Sequence, residues 1–238
     1  MGTAITLFVL FALNINQYIN YQDNLNNKPL PTIAQTSCCC GIHVVGNSTI
    51  VALMIYAKTE LTVLNTCMRN LHLYSKTEDE ILQNLRKLVI KHQRIITFVE
   101  KLSMMIRFAF LIDFCITAIV SATSVLQMVY LHTTLVGKLF QIFFVVSEWF
   151  QIFSVSWFAN EIRIESTALS GALYETKWYN YSQRIKQLIS IMMIRSQEPL
   201  TMHIGPFDVL TNNAVLRALR ATYSYITLLL VMAPTEEN

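Results

Sequence analysis

Charge is scarce in this chain, and what there is lies in clusters. Only 14% of the 238 residues are Asp, Glu, Lys or Arg, against about a quarter in soluble globular proteins. None occurs from Met1 to Gln22, from Pro29 to Ala57 or from Phe114 to Gly137. A helix needs about 20 apolar residues to cross the hydrocarbon core of a bilayer, and each of these runs is long enough. A soluble domain is excluded on that ground. The 6 Gly and 5 Pro form no low-complexity tract, and no internal repeat occurs.

Other absences narrow the function. The five cysteines make no CxxC pair: Cys38, Cys39 and Cys40 are adjacent, while Cys67 and Cys115 are scattered. That is no disulfide framework. Three adjacent thiols with His43 do not close a tetrahedral shell without a second cluster, so no metal is expected, and the thiols read as packing or interfacial groups. A net charge of +3 without a basic, aromatic-interleaved stripe does not point to nucleic acid. There is no GxSxG, HExxH or P-loop, so no enzyme and no cofactor are expected. No Lys or Arg precedes Leu7–Leu13 and no small-residue cleavage pattern follows. The first run therefore reads as a membrane helix, with a signal anchor as the alternative.

What is present describes an all-α, polytopic membrane helix bundle in a single domain. The expected crossings are residues 2–19, 38–57, 114–131, 139–160 and 213–233, the last with Arg217 and Arg220 in its first half. Pro29 and Pro31 break the connector between the first two. Cytoplasmic helical extensions are expected over 58–107 and 161–206. Of the 18 basic residues, nine lie from Lys58 to Arg107, five from Arg163 to Arg195 and two at Arg217 and Arg220; only Lys28 and Lys138 lie in the other loops. The positive-inside rule makes the rich loops cytoplasmic and the C-terminus external.

Both extensions carry helical stripes. Thr77-Glu78-Asp79-Glu80 reads as a capping box with acids at a helix N-terminus. From there Ile81, Leu85, Leu88, His92, Ile95, Val99, Leu102 and Ile106 recur in steps of 4 and 3, a heptad seam. Trp178, Tyr181, Ile185, Leu188 and Met192 step 3, 4, 3, 4 along a second expected helix, which Pro199 ends. Each seam needs a cover: the chain's own other extension, a second subunit, or both. Leu85, Leu88, His92, Ile95, Trp178 and Ile185 are the candidate subunit contacts.

Inside the expected fourth crossing, Glu148 is costly in lipid and a functional candidate by default; the bland alternative is a protonated or interface-wetted carboxyl. Asp113 reads as the cytoplasmic edge of the third. Phe143, Phe150, Phe153 and Trp157 share one helical face. Such aromatics suit either helix packing and lipid or a small apolar ligand, for which burial contributes about 25 cal/mol per Å² without directional partners. Asn47-Ser48-Thr49 and Asn180-Tyr181-Ser182 match the glycosylation pattern, but one falls in the membrane and the other inside the cell, so neither is expected to be used.

From Glu161 onward the sequence resembles the insect odorant receptors, through Tyr174, Trp178, Arg195-Ser196-Gln197 with Pro199, Gly205 with Phe207, and Tyr223-Ser224-Tyr225 before a Leu-rich finish. Upstream, Lys91-His92-Gln93 before Ile95-Ile96, Cys115 and Pro29-Leu30-Pro31 match too. Gustatory receptors are the nearest competitor, but no Gln-Phe follows Thr222-Tyr223 here. The resemblance implies seven membrane helices, so the five segments correspond to the third to seventh and the chain is a partial receptor. It implies a tetrameric, non-selective cation channel shared with a co-receptor in the plasma membrane of sensory dendrites. It further implies a small volatile ligand held by Tyr18, His43, Asn47, Phe143, Phe144 and Glu148. The last segment then matches the pore helix, with Ser224, Leu228 and Val231 on one face. The rival reading is a non-conducting membrane assembly protein whose cytoplasmic helices are its purpose.

Overall fold

The computed structural model describes residues 30–71, 77–130, 135–206 and 208–232, with side chains in the first of these described from Val45 onward. The sequence's expected first crossing, residues 2–19, lies outside them. Five helices make up nearly all of what is described: α1 (Leu30–Arg69), α2 (Glu78–Tyr130), α3 (Leu135–Glu175), α4 (Gln183–Gln197) and α5 (Asn212–Met232). The all-α membrane bundle is therefore the observed fold class.

The first three helices are far longer than a crossing requires. At a rise of 1.5 Å per residue, the 40, 53 and 41 residues of α1, α2 and α3 extend about 60, 80 and 60 Å, against a hydrocarbon core of about 30 Å. Among the described residues these three are long and apolar enough to cross a membrane. Helix α2 starts where the capping box lies: the Glu80 amide donates to Thr77 Oγ1 and the Thr77 amide donates to Glu80 Oε2, both at 3.4 Å. It then runs without a break from the heptad seam into the apolar run.

Two compact units emerge. One takes 51–107 and 155–211; the other takes, among described residues, 30–50, 108–154 and 212–232. The first unit is built like a soluble protein. Met54, Leu61, Leu64 and Met68 of α1, Leu85 of α2, Ile162, Leu169 and Leu173 of α3, and Ile185 and Ile189 of α4 are fully buried. Ion pairs rim it, Lys58–Glu161 and Lys91–Glu60 at 2.7 Å each and Arg69–Glu175 at 3.4 Å. Asn65 ties α1 to α3 by donating to the Glu165 backbone carbonyl at 3.1 Å and its carboxylate at 3.0 Å.

The sequence reading needs two corrections in this unit. Trp178 and Tyr181 do not continue the helix of Ile185, because Trp178–Asn180 form a separate 3-10 turn and Ser182 is extended at the N-cap of α4. A local Tyr181 amide to Trp178 carbonyl bond closes that turn, and its three-residue pitch rotates Trp178 off the α4 stripe. The helical extension expected over 161–206 also ends early, at Gln197. His203–Ile204 (β1) and Asp208–Val209 (β2) pair antiparallel, and Gly205 supplies the positive φ of 53° that their turn requires.

Candidate functional site

In the second unit a stripe of polar side chains is buried beside apolar ones such as Phe110, Val120 and Ile152. Asp113, Thr117, Ser121 and Ser124 follow one face of α2 at spacings of 4, 4 and 3, and all are buried. Ile112 and Ile119 of the same helix are exposed. On α3, Glu148 is only 8% exposed, whereas Leu139, Ile142, Val146 and Phe150 face out. In water so large an apolar exterior is unfavourable. In lipid it is the expected arrangement, since polar groups there turn to the bundle interior and apolar ones to the acyl chains.

Specific contacts knit this interior. Trp149 Nε1 donates to Ser121 Oγ at 2.9 Å, and Ser121 Oγ donates onward to the Thr117 carbonyl at 2.7 Å. The Trp149 ring meets Phe114 edge to face at 6.3 Å between centroids. Asn47 Nδ2 donates to Gln151 Oε1, joining α1 to α3. Thr117 Oγ1, on a residue 1% exposed, has no hydrogen-bond partner among the described residues. A buried hydroxyl left unbonded costs about 1–3 kcal/mol.

Of the expected ligand residues, Phe144 and Glu148 share a face of α3, and Asn47 contacts that helix at Gln151. Phe144, Glu148 and Gln151 recur at spacings of 4 and 3 on α3, and Gln151 touches Asn47. Phe143 does not join them: it is 71% exposed, on the outward face with Phe150, Phe153 and Trp157. One residue of helix turns the side chain by 100°, which separates it from Phe144. Tyr18 and the side chain of His43 lie outside the described residues. Gln151, Ser121 and Thr117 were not singled out by sequence reasoning. Their signal is the polar spacing inside an apolar run, easily hidden because Ser and Thr are tolerated in membrane helices. Asp113, expected at the cytoplasmic edge of the third segment, is buried within this unit.

Ser224, Leu228 and Val231 all lie on the exposed side of α5, Val231 at 83%. Ala214, Val215 and Thr222 form its buried side. No part of the described chain covers the face that carries the expected pore residues.

The expected subunit contacts divide. Leu85, His92, Ile95 and Ile185 are buried within this chain, so the chain itself covers them; Leu88 and Trp178 are half-buried. Burial, with the nearby Arg195 guanidinium second, holds the His92 imidazole below its ordinary pKa. Arg195 is itself paired with Glu100 at 3.9 Å and Glu198 at 3.8 Å. Burial alone raises the Tyr181 phenol above its ordinary value.

Comparison with known proteins adds a second line. Residues 30–223 match the family described as 7tm Odorant receptor. Odorant receptor 10 of Aedes albopictus is 30% identical over 145 residues, 60% of this chain and 38% of that protein. Odorant receptor 22c of Drosophila melanogaster is 28% identical over 150 residues, 63% of this chain and 37% of that protein. The chain thus spans about two fifths of the length of these relatives. Among solved structures, the insect olfactory receptor OR5 from Machilis hrabei superposes with a TM-score of 0.68 at 15% identity, covering 96% of this chain and 65% of that one. Its complex with eugenol gives 0.70 at 16%, covering 97% and 66%. At such identity the likeness is one of fold.

Proposed function

Because the chain belongs to the 7tm odorant receptor family, we propose that it serves as a receptor subunit that binds a small volatile molecule and gates a non-selective cation pore with a co-receptor. The observation that carries this reading is the uncovered face of α5. A helix whose Leu228 and Val231 are left exposed by the described residues is suited to line an axis shared with other subunits. Apolar side chains there gate by dewetting. The ligand surface is drawn from Asn47, Phe144 and Glu148 with Gln151, and from Tyr18 and His43 of the sequence reading; Phe143 is turned towards lipid. A family relative of the same fold has been solved with eugenol, which supports a ligand of that small size. The assembly is a tetramer in the plasma membrane of sensory dendrites, with the basic loops in the cytoplasm.

The test is electrical. This chain, joined to the first two membrane helices of a longer family relative, is expressed with an insect odorant co-receptor and exposed to a panel of volatiles. A cation current that needs both subunits, and that Leu228→Gln makes larger at rest, is expected. A chimera that reaches the surface with the co-receptor and stays silent to the whole panel refutes the channel reading. A chimera that conducts but ignores Leu228→Gln removes only the gate residue.

A further inference from the structure

The connector between α4 and α5 is fastened to α2 through Gly205. Gly205, at the tip of the β1–β2 hairpin, donates its amide to the Arg107 carbonyl at 3.1 Å. In return Arg107 Nε donates to the Gly205 carbonyl. Both backbone groups of one glycine are therefore held by both ends of one arginine. The glycine is buried and at positive φ, a conformation that side-chain-bearing residues rarely adopt. The rest of the connector is equally tied down. Leu200, Met202, Ile204 and Leu210 are buried, the Leu200 amide donates to Ser166 Oγ at 3.0 Å, and the Leu210 amide donates to the Met202 carbonyl at 2.7 Å. Helix α5 leaves this anchored segment at Asn212, two residues after Leu210.

We propose that the Arg107–Gly205 pair is a latch that fastens the β1–β2 hairpin to α2 and, through the short link from Leu210 to Asn212, biases the resting balance between closed and open pore. This rests on the reading of α5 as the pore helix. Arg107 is a positioning residue here, acting through Gly205 and touching neither ligand nor ion. Arginine suits the task because the Nε–H is fixed in the guanidinium plane and stays charged, and a charged donor makes a stronger bond to a carbonyl than a neutral one.

Two measurements on the same variants separate the latch from the pore. In hydrogen exchange on the reconstituted chain, Arg107→Leu removes the guanidinium but leaves the backbone carbonyl that accepts from Gly205. Faster exchange of the Gly205 amide therefore reports departure of the hairpin, by about tenfold if one charge-assisted bond is lost, with α2 itself unchanged. Gly205→Ala, which cannot adopt φ 53° without strain, is expected to do the same, and Arg107→Lys to be intermediate. In the conducting chimera, Arg107→Leu shifts the ratio of resting to maximal current by a similar factor at unchanged surface level. Unaltered exchange in both Arg107→Leu and Gly205→Ala overturns the latch. Faster exchange with an unaltered current ratio overturns its role in gating. A wild-type chimera that conducts nothing refutes the pore reading and the gating role, while exchange still decides the latch.

Discussion

At the residue scale, His92 is the side chain whose chemistry departs furthest from what its position on a helical stripe conveys. It occupies a heptad position between Leu88 and Ile95 and is buried there as a neutral ring. Its pKa lies below the ordinary 6.5 through burial and the Arg195 charge, so the unfolded chain takes up a proton near 6.5 that the folded chain refuses. The consequence is a stability that is full above about pH 6.5 and falls as the pH drops towards the depressed folded value, by at most about 1.4 kcal/mol per unit. Thermal unfolding of the reconstituted chain between pH 7.5 and 5.5 should show that loss, and His92→Gln should flatten it. An equal slope in both proteins would assign the acid sensitivity to other groups. In the lipid-suited unit the corresponding detail is the Trp149–Ser121–Thr117 chain of hydrogen bonds. The Trp149–Ser121 bond is the one that joins two helices, and a bond of that kind between membrane helices contributes about 0.6–2 kcal/mol.

At the element scale, the seam of α2 separates folding from assembly. Leu85 is fully buried among the chain's own helices, whereas Leu88, one turn on, is only half-buried. Leu85→Ala should destabilise the monomer by about 2–5 kcal/mol through lost burial and a residual cavity, read as a lower midpoint in thermal or denaturant unfolding. Leu88→Glu keeps its charge at the seam's edge, where solvent can reach it, and should leave the chain folded while weakening its capture by the co-receptor. A Leu88→Glu chain captured as well as wild type would show that the chain's own helices fully account for the seam. The periodicity identified this seam correctly because a 4-3 repeat exists only to be buried. It did not identify what does the burying, since a partner helix from the same chain and one from another subunit demand the same stripe.

At the scale of the whole molecule, the charge asymmetry sets the expected topology. With 14 of the 18 basic residues in the two alternate loops and two more, Arg217 and Arg220, at the start of the last segment, an epitope tag inserted at Lys76 should stain only after permeabilisation, and one after Asn238 should stain on intact cells. The opposite pattern would overturn the orientation and, with it, the assignment of the heptad-bearing helices to the cytoplasm. In one unit the buried side chains are mostly apolar; in the other, hydroxyls and carboxyls join Phe110, Val120 and Ile152 in the interior. Apolar side chains fill the interior around Leu61, Leu85 and Ile189, while hydroxyls and carboxyls turn inward around Thr117, Ser121 and Glu148.

Composition and periodicity were enough to read an all-α membrane bundle, because hydrocarbon leaves a chain of uncharged, apolar runs little choice but helices that satisfy their own backbone. The start of α2 at Thr77 and the end of α4 before Pro199 were legible for a similarly local reason: caps and prolines act within one turn. The rest was not local. Phe143 and Phe144 are neighbours of one kind in the sequence, and packing alone turns one outward and the other partly in. Gln151 reaches Asn47 across 104 positions, and Arg107 reaches Gly205 across 98. A glycine before a proline announces a turn; which arginine holds that turn depends on where helices separated by a hundred residues come together, and no pattern within a window of sequence carries that.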